Sequence, residues 1–165
     1  MIRRFTIPAF MMIAALAVAA GSQEQTSHQV PYPDGYRDWT HVKSMVLRPG
    51  HDLYNVFGGI HHVYANDKAL AGLKGKKNEY PDGSVFVFDL LAQSGDSTAL
   101  TEGERKVLGV MHRDAAKYAK TGGWGFEGFA GNTRNRVVTD DGESCFLCHD
   151  TQAKATGLVF SQWRE

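Results

Sequence analysis

Cysteine is scarce: Cys145 and Cys148 are the only two in 165 residues. That is too few for the disulfide framework of a small secreted scaffold. A second C-x-x-C is missing, and so is any H-x-x-x-H pair. A structural zinc site takes four ligands, usually from two such pairs, so half of one is lacking. Basic excess is absent too, with 18 Lys and Arg against 18 Asp and Glu, which leaves nothing to suggest nucleic acid as a partner. Low-complexity linkers and charge blocks do not occur. Beyond residue 20 no stretch is apolar enough to span a bilayer. The last segment, "DTQAKATGLVFSQWRE", contains neither Met nor His.

What is there begins with an export segment. Arg3 and Arg4 form a positive start, an apolar run follows from about Ile7 to Ala20, and small residues close it. This pattern predicts a secretory signal peptide over residues 1–20 and a periplasmic destination. Two of the 18 basic residues fall in that segment, which leaves 16 against 18 acidic ones and a net charge of −2 with His neutral. Residues 21–165 suffice for a single domain with a core.

The two cysteines stand in "ESCFLCHDTQ", two residues apart, with His149 directly after the second. A disulfide across so small a loop would stabilise little. A thioredoxin-like redox pair needs a βαβ setting. The full C-x-x-C-H signature points instead to covalent attachment of one c-type haem. Cys145 and Cys148 would lie one helical turn apart and meet one edge of the macrocycle, with His149 as the axial iron ligand. A redox or structural cysteine pair is the competing reading.

Along the chain, "YPDGY" (32–36) and "YPDGS" (80–84) are turn chemistry used twice, with Pro setting φ and Gly allowing it to be positive. "YRDWTHVKSMVL" reads as a helical turn running into a strand. "NVFGGIHHVYA" (55–65) reads as a strand with a glycine irregularity. "NDKALAGLKG" (66–75) is a short helix capped by Asn66 or Asp67. "SVFVFDLLA" (84–92) is a β-branched and aromatic strand, and "ERKVLGVMHR" (104–113) another. "DAAKYAKTGG" (114–123) is expected to be helical, "WGFEGFAG" (124–131) extended, and "GESCFLCHDTQAK" (142–154) the haem-binding helix. The sum is an α+β domain, predominantly antiparallel β-sheet with short helices.

Five segments, "YPDGYRDWTHVKSM", "HHVYANDKAL", "DGSVFVFDLL", "GGWGFEGF" and "CFLCH…VFSQW", occur in an order that resembles the cytochrome P-460 superfamily across nearly all of residues 21–165. The resemblance implies a sheet-rich cytochrome P-460-like fold, one haem c, a five-coordinate or weakly ligated iron, and commonly a homodimer. One branch oxidises hydroxylamine and carries a lysine cross-linked to a haem meso carbon. The cytochrome c′-β branch lacks the cross-link, binds small gases such as NO and CO, and caps the distal face with phenylalanines. The cross-linking lysine belongs to the strand matched by "DGSVFVFDL", where this chain has Phe88. Strand alternation sets Phe86, Phe88 and Leu90 on one face and Val85, Val87 and Asp89 on the other. The face bearing Asp89 is expected to point outward and Phe88 inward. Phe57, grouped with Gly59, His61 and Val63 on the preceding strand, completes the expected distal pair. His61 stands where the hydroxylamine-oxidising branch has an arginine.

Two readings follow. One is a non-enzymatic haem protein binding NO or CO, with electron transfer to a redox partner. The other is a hydroxylamine-oxidising or peroxidase-like enzyme, which needs a proton acceptor such as Glu127 or His61. Lys154 is a candidate partner for a haem propionate, with solvation the plainer reading. Met45 and Met111 are expected to pack in the core, as are Trp39, Trp124 and Trp163. His41, His51 and His112 are expected at the surface or in structural roles.

Overall fold

The computed structural model of the chain describes residues 29–75 and 77–165. The expected export segment, residues 1–20, lies outside them. Five strands form one antiparallel sheet in chain order: β1 (Thr40–Leu47), β2 (Gly59–Ala65), β3 (Val85–Gly95), β4 (Leu100–Arg113) and β5 (Trp124–Ala130). Among the described residues three α-helices accompany them: α1 (Tyr54–Phe57), α2 (Asp67–Lys74) and α3 (Glu143–Ala153). The expected α+β, sheet-dominated architecture is what the chain adopts. Among the described residues no helix is long and apolar enough to cross a membrane.

The alternation in "SVFVFDLLA" places β3 at the centre, because its two faces suit two different cores. On the first face Phe86 joins Ala65, Trp124, Phe126, Leu158 and Val159, with α2 supplying Ala69 and Leu73. On the second, Val87 joins Val30, Tyr36, Leu108, Val110, Tyr118 and Phe129. A sheet covered on both sides hides both alternating sets of side chains from water.

Asp89 therefore does not point outward. Its side chain is 0% exposed. Arg105 donates to it from Nε at 2.6 Å and from Nη2 at 3.0 Å, and the Tyr36 hydroxyl donates at 2.6 Å. A charge on a strand usually faces water because burial alone is costly, but here a cation and a phenol supply the missing bonds.

Two further expectations shift. Residues 114–123 form turns and a short 3₁₀ turn, Ala119–Thr121, in place of a helix. The Asp114 carboxylate accepts from the Lys117 amide at 2.9 Å, and Gly122 and Gly123 take positive φ. This local geometry seats Tyr118 in the second core. The strand expected over 55–65 begins only at Gly59, and Phe57 belongs to α1. The α2 boundary holds as expected: Asn66 caps it, accepting from the Ala69 amide at 2.9 Å.

Candidate haem site

Helix α3 is built to carry the C-x-x-C-H motif. Gly142, with φ of 83°, turns the chain into it. The Asp140 carboxylate accepts from the Gly142 and Ser144 amides at 3.1 and 3.0 Å, satisfying N-terminal donors that the helix leaves free. Cys145 and Phe146 pack against the first core, so α3 lies on the β5 side of that face. Both cysteines are free thiols, Cys145 half-buried and Cys148 exposed.

The His149 ring is seated between Phe126 and Phe160, with ring centroids 4.9 and 4.7 Å away. Its Nδ1–H donates to the Leu158 carbonyl at 2.7 Å. Leu158 has a φ of 69°, directly after Gly157 at 68°, a backbone state a leucine adopts only under constraint. That constraint aims the carbonyl at the imidazole. Burial lowers the pKa of His149, with the Leu158 bond opposing it. The ring is thus held neutral and in one tautomer, with the Nε2 lone pair free of any protein partner among the described residues.

The distal candidates form a second cluster on the same sheet face. Phe57 and Phe88 meet edge to face at 6.0 Å, and His61 meets Phe88 at 4.7 Å. Phe88 lies opposite Val63 on β2 and Gly109 on β4, and Gly109 lies opposite Gly128 on β5. A Cβ on Gly109 would press against Phe88 Cδ1 at 3.2 Å. Phe88 thus fills the space over Gly109, and Val137 that over Gly128, where a Cβ would meet its Cγ2 at 2.7 Å. Phe126, beneath His149, is two strands across and two residues along from Phe88, a separation of about 12 Å at ordinary strand spacings.

Other candidates fall elsewhere. Glu127 is buried but points to the second face, away from Phe126. Its carboxylate accepts from Arg136 at 2.5 Å and from the Gly128 amide at 2.9 Å. It is a satisfied structural carboxylate and not a relay on the α3 side. Lys154 is exposed and pairs with Asp150 at 3.3 Å. Met111 packs against the first core as expected, while Met45 stands 36% exposed opposite His61. Trp124 is buried, and Trp39 and Trp163 pack against the two cores. His62 faces away from His61 and bonds Ser44 and Glu102 at 2.7 and 2.6 Å. His41 and His51 are exposed, and His112 is partly buried.

Residues 33–161 match the sequence profile of the cytochrome P460 family. The chain belongs to the cytochrome P460 family. Comparison with curated proteins finds no match for it. As a P460 cytochrome it is a haem-binding protein whose cofactor carries iron.

The residues of this P460 cytochrome suit haem better than the competing uses of its cysteines. Burial raises the Cys145 thiol pKa, opposite to what a redox-active thiol needs. Among the described residues the sheet is antiparallel throughout, with no βαβ unit around the pair. Among the described residues no group of three or more His, Cys, Asp or Glu is placed to hold a metal ion without the macrocycle. Two free thiols one turn apart, an imidazole with Nε2 unclaimed, and Phe57 and Phe160 exposed at 40% and 49% match a flat, largely apolar group. Sequence reasoning missed Phe160 and Leu158 as site residues. "GLVF" carried a turn signal in Gly157, but which carbonyl meets His149 is a backbone property that residue identity does not encode.

Proposed function

We propose that this P460 cytochrome holds one haem c through Cys145 and Cys148, with His149 on the iron, and binds small neutral diatomic gases, NO or CO, in the manner of the cytochrome c′-β branch. Each thiol adds its sulfur to one vinyl carbon and its hydrogen to the other, so attachment needs no oxidant. The iron supplies the coordination position at which a gas binds. His149, kept neutral and oriented by the Leu158 carbonyl, would hold the iron through Nε2. Phe57 and Phe88 would line the gas site with apolar rings, which exclude water and disfavour anions while admitting neutral diatomics. Export to the periplasm, a homodimeric assembly and electron exchange with a redox partner belong to the same proposal.

The observation that carries this reading is the edge-to-face pair of Phe57 and Phe88 on the sheet face that also holds α3. Phe88 occupies the position where the resemblance puts the cross-linking lysine, and a phenyl ring forms no such bond. Hydroxylamine oxidation would also require a proton acceptor at this face. His61 is a poor one, since burial lowers its pKa and Nδ1, its remaining lone pair, is buried. The test is stopped-flow CO binding to the ferrous protein beside a hydroxylamine oxidation assay. Wild type is expected to bind CO and to turn over hydroxylamine poorly, and Phe88→Ala to bind CO faster. Brisk hydroxylamine oxidation by wild type would overturn the proposal in favour of the enzymatic branch.

A further inference from the structure

Helix α1 is a single turn of four residues, far shorter than a helix that sustains itself. Its last carbonyls have no helical partner. Two side chains from elsewhere in the sheet take up consecutive ones. His61 Nε2–H, on β2, donates to the Phe57 carbonyl at 2.5 Å. Lys106 Nζ, on β4, donates to the Gly58 carbonyl at 2.7 Å. The chain leaves the turn through two glycines that a side chain would disrupt. A Cβ on Gly58 would strike the Tyr54 ring at 2.5 Å, and Gly59 has a φ of 142°.

Both donors are specially placed. Between β3 and β4 the register passes from Leu90 opposite Val107 to Leu91 opposite Arg105, leaving Lys106 as the extra residue of a bulge. Bulges re-aim side chains. Here Arg105 goes to Asp89 on the second face, and Lys106 reaches Gly58. His61 is 1% exposed, and its Nδ1 is buried without a partner. An apolar residue would fill the position without that orphaned acceptor. What the imidazole adds is contact with both phenylalanines, through its ring to Phe88 and through Nε2–H to the Phe57 backbone.

We propose that His61 and Lys106 are a latch for the turn that carries Phe57, and that this latch sets how often the distal face opens to a diffusing gas. The inference rests on the proposed role of Phe57 and Phe88 as the distal cap. Phe88 is the fixed leaf, set inside a strand paired on both sides. Phe57 is the moving leaf, more exposed and carried on a turn whose end is held by two side-chain bonds. His61 and Lys106 are positioning residues that act through Phe57.

The experiment uses the haem-loaded protein and two readouts: CO association with the ferrous form, and amide hydrogen exchange of the peptide spanning 53–58. His61→Phe keeps a flat ring beside Phe88 but removes the donor, and Lys106→Met keeps the stem but removes the ammonium. Loss of one net hydrogen bond should raise the open population about five-fold, so both readouts should rise by about that factor in each variant. His61→Gln and Lys106→Arg, which retain a donor, should return both readouts toward wild type, as a merely structural role would not. If His61→Phe does not fold, Lys106→Met on its exposed side chain decides alone. Unchanged exchange in the latch variants, with Phe88→Ala still speeding association, would overturn the latch and leave the cap. Faster exchange in the latch variants, with association unchanged there and in Phe88→Ala, would uphold the latch and sink the cap.

Discussion

Asp89 shows how a single residue can be misread by a sound local rule. Alternation put it opposite Phe88 correctly, but its environment comes from Tyr36 and Arg105, far away in the chain. Burial pushes its carboxyl upward, and the bonds from Arg105 and Tyr36 with the Arg105 charge outweigh that and hold it below the usual range. The sign follows: this stabilisation is complete above the unfolded value, about pH 4, and is lost as pH falls through the lower folded value. Asp89→Asn should therefore destabilise the protein by about 3 kcal/mol near neutral pH, because Arg105 loses its buried partner. Urea unfolding at pH 7 and pH 3 checks this, with the variant's stability changing less between the two than that of wild type. An equal pH dependence in both would refute it. Cys145, Cys148 and His149 were legible as a motif because a motif is written in side-chain identity. The Leu158 carbonyl and the Lys106 contact depend on a positive φ and a bulge, which no residue type announces.

Elements were readable where local signals agree with the fold. Helix α2 has its cap, its apolar face and a closing glycine within ten residues. Its Asn66 also accepts from the Val85 amide at 3.1 Å and donates to the Gly83 carbonyl at 2.9 Å, tying the helix start to the start of β3. Asn66→Ala should cost about 2 kcal/mol, more than a cap alone, because three backbone groups lose their partner. Urea denaturation measures it, and a change under about 0.5 kcal/mol would show that the tie is not energetic. Strand β3 was legible from its β-branched and aromatic alternation. Segment 114–123 was not, because helix-compatible residues were overridden by the Asp114 turn and the burial of Tyr118. The turn α1 was not legible either, since "NVFGG" is too short to show a period and its shape depends on donors from β2 and β4.

For the whole molecule, the five-stranded meander follows from consecutive strands that pair in chain order and each expose an apolar set. The order of the strands was implicit in that pattern, and their shared burial on two sides was not. The α3 helix and the Phe57–Phe88 pair meet the same face from distant parts of the sequence, which only the folded topology reveals. Covalent attachment predicts that haem stays with the chain on a denaturing gel stained for haem peroxidase activity, and that Cys145→Ser with Cys148→Ser releases it. Loss of haem from the denatured wild type would contradict the thioether assignment. The central claim, an iron held by His149 and left open beneath two phenylalanines, is tested most directly by the absorption spectrum of the ferrous protein before and after CO. The account predicts a high-spin ferrous form with one axial protein ligand, converted by CO to a new ligated spectrum. A sharp low-spin six-coordinate ferrous spectrum, or a Soret band shifted to long wavelength as a haem cross-link would give, would contradict it.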